Sequence, residues 1–294
     1  MSIKVYCDAG SNLYPEILKA KSLDINVLSM DVSLGEKTYH LYHDDVNVKE
    51  FSKEFFDTLK SNKDSVRTSL VSPGDFLDAF KKEVETGNQV ICFTMAKGIS
   101  GTYNSAVLAA TEVNGEVGKE AVHVVDSATA GFGEGLQAIA AYENVKAGKS
   151  FEEVCKAADE LVFKVRSEFT VDDVTYLVAT GRISKTVAKI ANLLRIKVML
   201  KGNNESKIEV VTKVHGRKMA LKNLSKTLQA KIKDPKNQTV YITHCVAEEE
   251  ALALKKELNA AGIPNIEVYP YDLVTGAHVG PGCIAIFYIG ENRD

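Results

Sequence analysis

The chain has 294 residues, with 36 Lys and Arg against 39 Asp and Glu, a formal net charge of −3. That near-balance argues against a general nucleic-acid binder, which needs a basic excess to neutralise phosphates. A hydrophobic share of 45% and a charged share of 26% exclude a disordered chain and suit one large globular domain or two of ordinary size.

The opening residues, MSIKVYCDAG, run straight into a strand and lack the basic start and apolar stretch of a signal peptide. No uncharged apolar run approaches the roughly 20 residues that span a bilayer. The expected location is therefore the cytoplasm, without membrane insertion. Cys7, Cys92, Cys155, Cys245 and Cys283 are widely spaced, form no CxxC, and read as small buried hydrophobes in a reducing compartment.

Residues 3–9 read as a short strand, 12–21 as a helix and 25–34 as a second strand. Phe51, Phe55, Phe56 and Leu59 recur at helical spacing, which predicts a helix over 49–62. A polar turn follows over 66–76. Within it, Ser72, Pro73 and Asp75 mark the start of a helix that stops at Gly87. Residues 89–95 form a continuous apolar run, as in a strand buried on both faces. A Gly-rich turn from Lys97 leads into a helix ending near 113. Residues 121–127 repeat the buried-strand pattern, and a small-residue turn then feeds a helix reaching about Lys146. Short strands alternating with helices imply βαβ units and a parallel sheet.

The second half changes character. Ser150 and Glu153 form a capping box before a helix to about Arg166, and 167–171 reads as a strand. Residues 180–194 read as a Gly turn and an amphipathic helix. Residues 195–202 and 206–214 read as a β-hairpin around Gly202, Asn203 and Asn204. A basic amphipathic helix (216–232), a strand (239–245), a helix (248–262), a strand (266–272), a Gly-rich loop (275–282) and a final strand (283–290) complete the chain. The fold class is α/β. An N-terminal α/β/α domain on a parallel sheet covers residues 1–155, and a C-terminal α/β domain on a mixed sheet covers 156–294.

Turns after parallel strands gather at one sheet edge, where open α/β sheets bind ligands. Three such turns are rich in hydroxyls and glycine: Asp8 to Ser11, Gly98 to Thr102, and Asp126 to Thr129. The second opens a helix, so its N–H groups and hydroxyls can hold an anion, or simply cap the helix. Thr68 and Ser69 sit in a loop, where their hydroxyls can bind a carboxylate or phosphate, or bond to the turn itself. His278 lies in a Gly-rich loop, GAHVGPG, and is a ligand candidate; His244 reads as structural. Arg182, after Gly181, can pair with an anion or with local carbonyls. His40, His43, Asp44 and Asp45 are weak grounds for a metal, and none is expected. The sequence has no Walker GxxxxGK[ST], no correctly spaced GxGxxG, no GxSxG elbow and no HExxH.

At these residues the chain resembles the DegV family of bacterial lipid-binding proteins. The stretch from Thr68 to Phe76 is similar to the family's TSxPSPxDF, with Val71 in place of the first proline. Ile99 to Ala106 resembles LSGTYxSA. Val125-Asp126-Ser127 with Gly133 and Gly135 resembles its DS…GxG, Gly181 to Ser184 its GRIS, and His278 to Gly282 its HxGPG. The resemblance implies two α/β domains with a long-chain fatty acid buried in a cleft between them. It implies a carrier and not an enzyme, presenting the acyl carboxylate to a separate fatty-acid kinase that makes acyl phosphate for phospholipid synthesis. No cofactor is implied.

By the same resemblance Thr68 bonds the carboxylate and Ser69 shapes its pocket. His278 contacts the carboxylate or the acyl phosphate, Arg182 engages the kinase or the phosphoryl group, and Gly98, Ser100 and Gly280 belong to the site loops. The family's paired serines before LSGTY are Ala96 and Lys97 here. Lys97 either replaces the missing donor with an ion pair or points to solvent. Two further readings are a divergent member binding another amphiphile, and an enzyme acting on a small anion through His278 with Asp8 or Asp126 assisting.

Overall fold

A computed structural model describes residues 2–42, 48–61, 66–184, 186 and 196–293. The N-terminal part is built on four parallel strands in the order β2-β1-β6-β7: β1 (Ile3–Asp8), β2 (Ile25–Leu28), β6 (Gln89–Thr94) and β7 (Val122–Asp126). Val90 to Thr94 of β6 are all buried, because neighbouring helices cover both faces. The helix Pro73–Glu85 begins as its sequence requires: Ser72 Oγ accepts from the Asp75 N–H at 3.1 Å, and the Asp75 carboxylate accepts from the Ser72 N–H at 3.2 Å.

The C-terminal part is built on six strands in the order β10-β9-β8-β13-β11-β12: β8 (Val165–Thr170), β9 (Ile196–Gly202), β10 (Ile208–His215), β11 (Val240–His244), β12 (Ile266–Pro270) and β13 (Ile284–Ile289). Only β11 and β12 pair in parallel. The alternation along β13 divides the hydrophobic core. Ile284, Ile286 and Tyr288 pack outward under the helices Arg217–Lys231 and Glu248–Ala260. Ala285 and Phe287 face inward, into a core shared with the N-terminal sheet. We propose that these two sheets mark two domains; residue 155, the boundary expected from sequence, lies within the helix Phe151–Val162.

Three local expectations are corrected. Residues 25–34 are two strands and not one: the chain leaves the parallel sheet after Leu28, and β3 (Asp31–Leu34) joins β4 (Lys37–His40) and β5 (Val66–Thr68) in a small antiparallel sheet. The β3–β4 hairpin turns at Gly35, whose φ of 62° suits a residue without a side chain. Thr68 therefore ends a strand instead of lying in a loop. The helix expected to reach Arg166 stops at Val162, and β8 starts at Val165. Most of the turn and amphipathic helix expected over 180–194 lies outside the described residues. No helix among the described residues is long and apolar enough to cross a membrane.

Candidate functional site

The site is organised by the short helix Leu273–Val279, where the sequence suggested a loop. Asp272 caps it, its Oδ1 accepting from the Thr275 N–H at 2.6 Å. Gly276 is a packing residue: a Cβ there would lie 2.7 Å from the Phe56 ring. Gly280 ends the helix with a φ of 74°, and a Cβ on it would lie 2.4 Å from the Tyr176 ring. The glycines that resemble loop punctuation thus permit close contacts around a helix, and His278 projects from a fixed element.

His278 Nε2 lies 2.9 Å from Thr68 Oγ1. Burial, reinforced by the nearby Arg182 charge, pushes the His278 pKa down to about 3. The imidazole is therefore neutral at ordinary pH. Ser69 is held by β3: its Oγ accepts from the Asp31 N–H at 2.8 Å, and its N–H donates to the Asp31 carbonyl at 2.9 Å. Ser100 Oγ and Thr102 Oγ1 are 2.9 Å apart at the start of the helix Thr102–Val117. Arg182 donates to the Thr180 carbonyl at 2.5 Å and the Ile99 carbonyl at 3.2 Å, so local carbonyls, and no carboxylate among the described residues, hold it.

Thr68, Ser69, Ala96, Ser100, Arg182 and His278 all line one cavity of about 950 Å³, measured out to its open mouth. Much of its wall is apolar, from Met95, Phe169, Leu177, Val274 and Phe287. Its lining suits a ligand with a large apolar part and a few polar atoms. Lys97, Gly98 and Gly280 are not in this wall. Lys97 Nζ lies 3.5 Å from Asp126 Oδ2 and 5.7 Å from the Tyr103 ring centre, on the exposed side of the turn. Gly98 closes that turn against the β9–β10 hairpin, where a Cβ would meet the Ser206 carbonyl oxygen at 2.2 Å.

Of the three hydroxyl-rich turns, the second and third reach the cavity and the first does not. Asp8 is instead buried beneath it, accepting from the Met95 N–H at 2.9 Å and the Gly10 N–H at 2.8 Å. Burial raises its pKa to about 6, that of Asp272 to about 7, and that of Glu134 well above the ordinary range. None of the three pairs with a Lys or Arg among the described residues. His40 Nδ1 lies 2.9 Å from Asp31 Oδ1, while His43, Asp44 and Asp45 lie outside the described residues. His244 Nδ1 accepts from the Ala247 N–H at 3.4 Å. The cysteines are all buried free thiols.

Sequence reasoning missed Ser167, Gly202, Tyr271 and Thr275 in the cavity wall. Ser167 and Gly202 sit in strands where nothing distinguishes a residue facing a cavity from one facing the core.

Three comparisons bear on the whole chain. The profile of the DegV family, described as uncharacterised proteins, matches residues 2–291. The chain belongs to the DegV family. A DegV domain-containing protein of Clostridium perfringens is 31% identical over 292 residues, covering 99% of this chain and 98% of that protein. Among solved structures, a fatty-acid-binding DegV family protein from Thermus thermophilus matches with a TM-score of 0.85 at 26% identity, covering 99% of this chain and 100% of that one. The Streptococcus pneumoniae fatty acid kinase (Fak) B3 protein, loaded with linoleic acid, matches with a TM-score of 0.82, covering 99% of this chain and 100% of that one. At 20% identity it attests the shared DegV fold alone.

Proposed function

We propose that this DegV-family chain binds a long-chain fatty acid in the cavity and presents its carboxylate to a separate fatty-acid kinase. The observation that carries the reading is the Thr68–His278 pair in the wall of a cavity lined largely by apolar side chains. Thr68 Oγ1 and His278 Nε2 share one hydrogen, so the neutral pair keeps either the threonine hydroxyl or the imidazole Nδ1–H to donate to a carboxylate. The bound anion would in turn favour protonation of His278 and strengthen the contact. Each buried methylene contributes roughly 0.8 kcal/mol, so the apolar wall supplies most of the affinity and the polar pair sets the register of the chain. The fatty-acid binding of the Thermus thermophilus relative supports this part.

Presentation to a kinase rests on the motif resemblance, with Arg182 beside the pair as the residue that meets the partner or the incoming phosphoryl group. Ala96 contributes a methyl where a serine is expected, and Lys97 is engaged by Asp126. Carboxylate recognition therefore falls to Thr68 and His278, with Ser69 and Ser100 shaping the pocket.

Calorimetric titration with palmitate and oleate tests the binding. Saturable one-to-one uptake, weakened in Thr68→Val, is expected; no uptake of either acid would overturn it. Incubation of the loaded protein with a fatty-acid kinase and ATP tests the second step. Acyl phosphate formed only when both proteins are present is expected; equal formation from free fatty acid without this chain would overturn it.

A further inference from the structure

The cavity wall contains a polar notch remote in sequence from the Thr68–His278 pair. Four serines line the described wall. Ser69 bonds to the Asp31 backbone, Ser100 to Thr102, and Ser206 to Asp126 Oδ2 at 2.6 Å. Ser167 in β8 has no hydrogen-bond partner among the described residues. Opposite it, Gly202 at the end of β9 has no side chain. A Cβ on Gly202 would lie 2.9 Å from Ser167 Oγ and 3.2 Å from the Ala128 carbonyl oxygen. That close approach requires glycine, and because Gly202, Ser167 and Ala128 all line the cavity, the wall here is bare backbone bordered by a free hydroxyl and a carbonyl. That carbonyl already accepts from Arg293 Nη1 at 2.5 Å, which leaves it one further lone pair.

Covering this notch with methylenes would bury the Ser167 hydroxyl without a partner, a cost that hydrogen bonding removes. A hydroxyl lodged over Gly202 would accept from Ser167 and donate to Ala128. A keto oxygen could satisfy only Ser167, and a plain chain neither. We propose that the preferred ligand of this cavity is a hydroxylated long-chain fatty acid, its hydroxyl held between Ser167 and the Ala128 carbonyl. This rests on the fatty-acid reading above and specifies its substrate class.

The test compares stearic acid with its 10-hydroxy, 12-hydroxy and 18-hydroxy derivatives by calorimetry, on the wild-type chain and on Ser167→Ala and Gly202→Ala. The added methyl of Gly202→Ala would meet Ser167 Oγ at 2.9 Å and the Ala128 carbonyl oxygen at 3.2 Å, so that variant blocks the notch by crowding both groups, while Ser167→Ala removes the hydroxyl without crowding. At least one hydroxy isomer should bind wild type roughly tenfold more tightly than stearate. Both variants should reduce that advantage below about twofold while leaving stearate affinity unchanged or improved. Stearate binding as tightly as every hydroxy isomer, or an advantage that survives both variants, would overturn the inference and leave the fatty-acid reading intact. Failure of wild type to take up any of the four acids would overturn both.

Discussion

The Thr68 hydroxyl and the His278 imidazole, 210 residues apart in sequence, lie 2.9 Å apart in the cavity wall. Two structural features make the pairing possible. The small β4-β3-β5 sheet carries Thr68 across the N-terminal half, and the Asp272-capped helix delivers His278 from the C-terminal half. If the pair binds the carboxylate, Thr68→Val keeps the shape and deletes the donor. Fatty-acid affinity should fall roughly tenfold, the worth of one good hydrogen bond. Thr68→Val combined with His278→Ala should cost less than the sum of the two single variants, because both act on one ligand group. A calorimetric double-mutant cycle checks this.

Lys97 occupies the position where the sequence left an ion pair with the ligand open. Its ammonium lies beside Asp126 and Tyr103, with more than half of the side chain exposed, and Lys97 is not part of the cavity wall. Lys97→Ala should change fatty-acid affinity by less than about twofold, since an exposed pair contributes little. A loss of tenfold in the same titration would show that Lys97 swings inward on binding.

The buried acids give the fold a pH dependence whose sign can be worked out. Burial raises the folded-state pKa of Asp272 from 3.8 to about 7, opposed by hydrogen bonds from Thr275. The native state therefore keeps its proton where the unfolded chain has lost it. Stability from this group is fully present below pH 3.8 and is lost as pH rises through about 7. Asp8, raised to about 6, acts in the same sense. His278 acts in the opposite sense: it is depressed to about 3 from 6.5, so stability falls as pH drops across that interval. Asp272→Asn keeps a cap oxygen for Thr275 and removes the ionisation. Its melting-temperature advantage over wild type should be several degrees larger at pH 8 than at pH 5, because the loss in wild type is complete above about pH 7 and only partial at pH 5. Thermal melts at the two pH values measure it.

Gly280 joins a left-handed backbone conformation to a contact with Tyr176. Gly280→Ala meets both strain and a ring only 2.4 Å away, and should destabilise the fold by roughly 2–4 kcal/mol. Gly74, with its Cβ position in open contact only with Ser72 Oγ at 3.7 Å, is the control: Gly74→Ala should be neutral or slightly stabilising. Urea unfolding of the two variants separates them.

The alternation of buried strands with amphipathic helices was legible because both periodicities are strong: β6, β7 and the Ser72 and Ser150 caps follow directly from residue type and spacing. The β3–β4 hairpin was not. Its signal is a two-residue Gly35-Glu36 turn flanked by strands of four residues, too short to show a period. Thr68, Ser100, Arg182 and His278 could be singled out because hydroxyl and charged side chains in turns stand out against an apolar background. The helix under His278 was hidden, because Gly276 is there to admit Phe56 and reads in one dimension as a loop residue. Ser167 and Gly202 were invisible for a related reason: a strand pattern specifies which face is buried and not whether that face meets core or cavity.

The most direct measurement is native mass spectrometry of the purified chain, followed by solvent extraction and identification of whatever is released. A long-chain fatty acid at one per protein, lost or reduced in Thr68→Val, is the predicted result. A protein that is empty as purified, and that stays at its apo mass after incubation with palmitic, oleic, stearic and hydroxystearic acids, would contradict it.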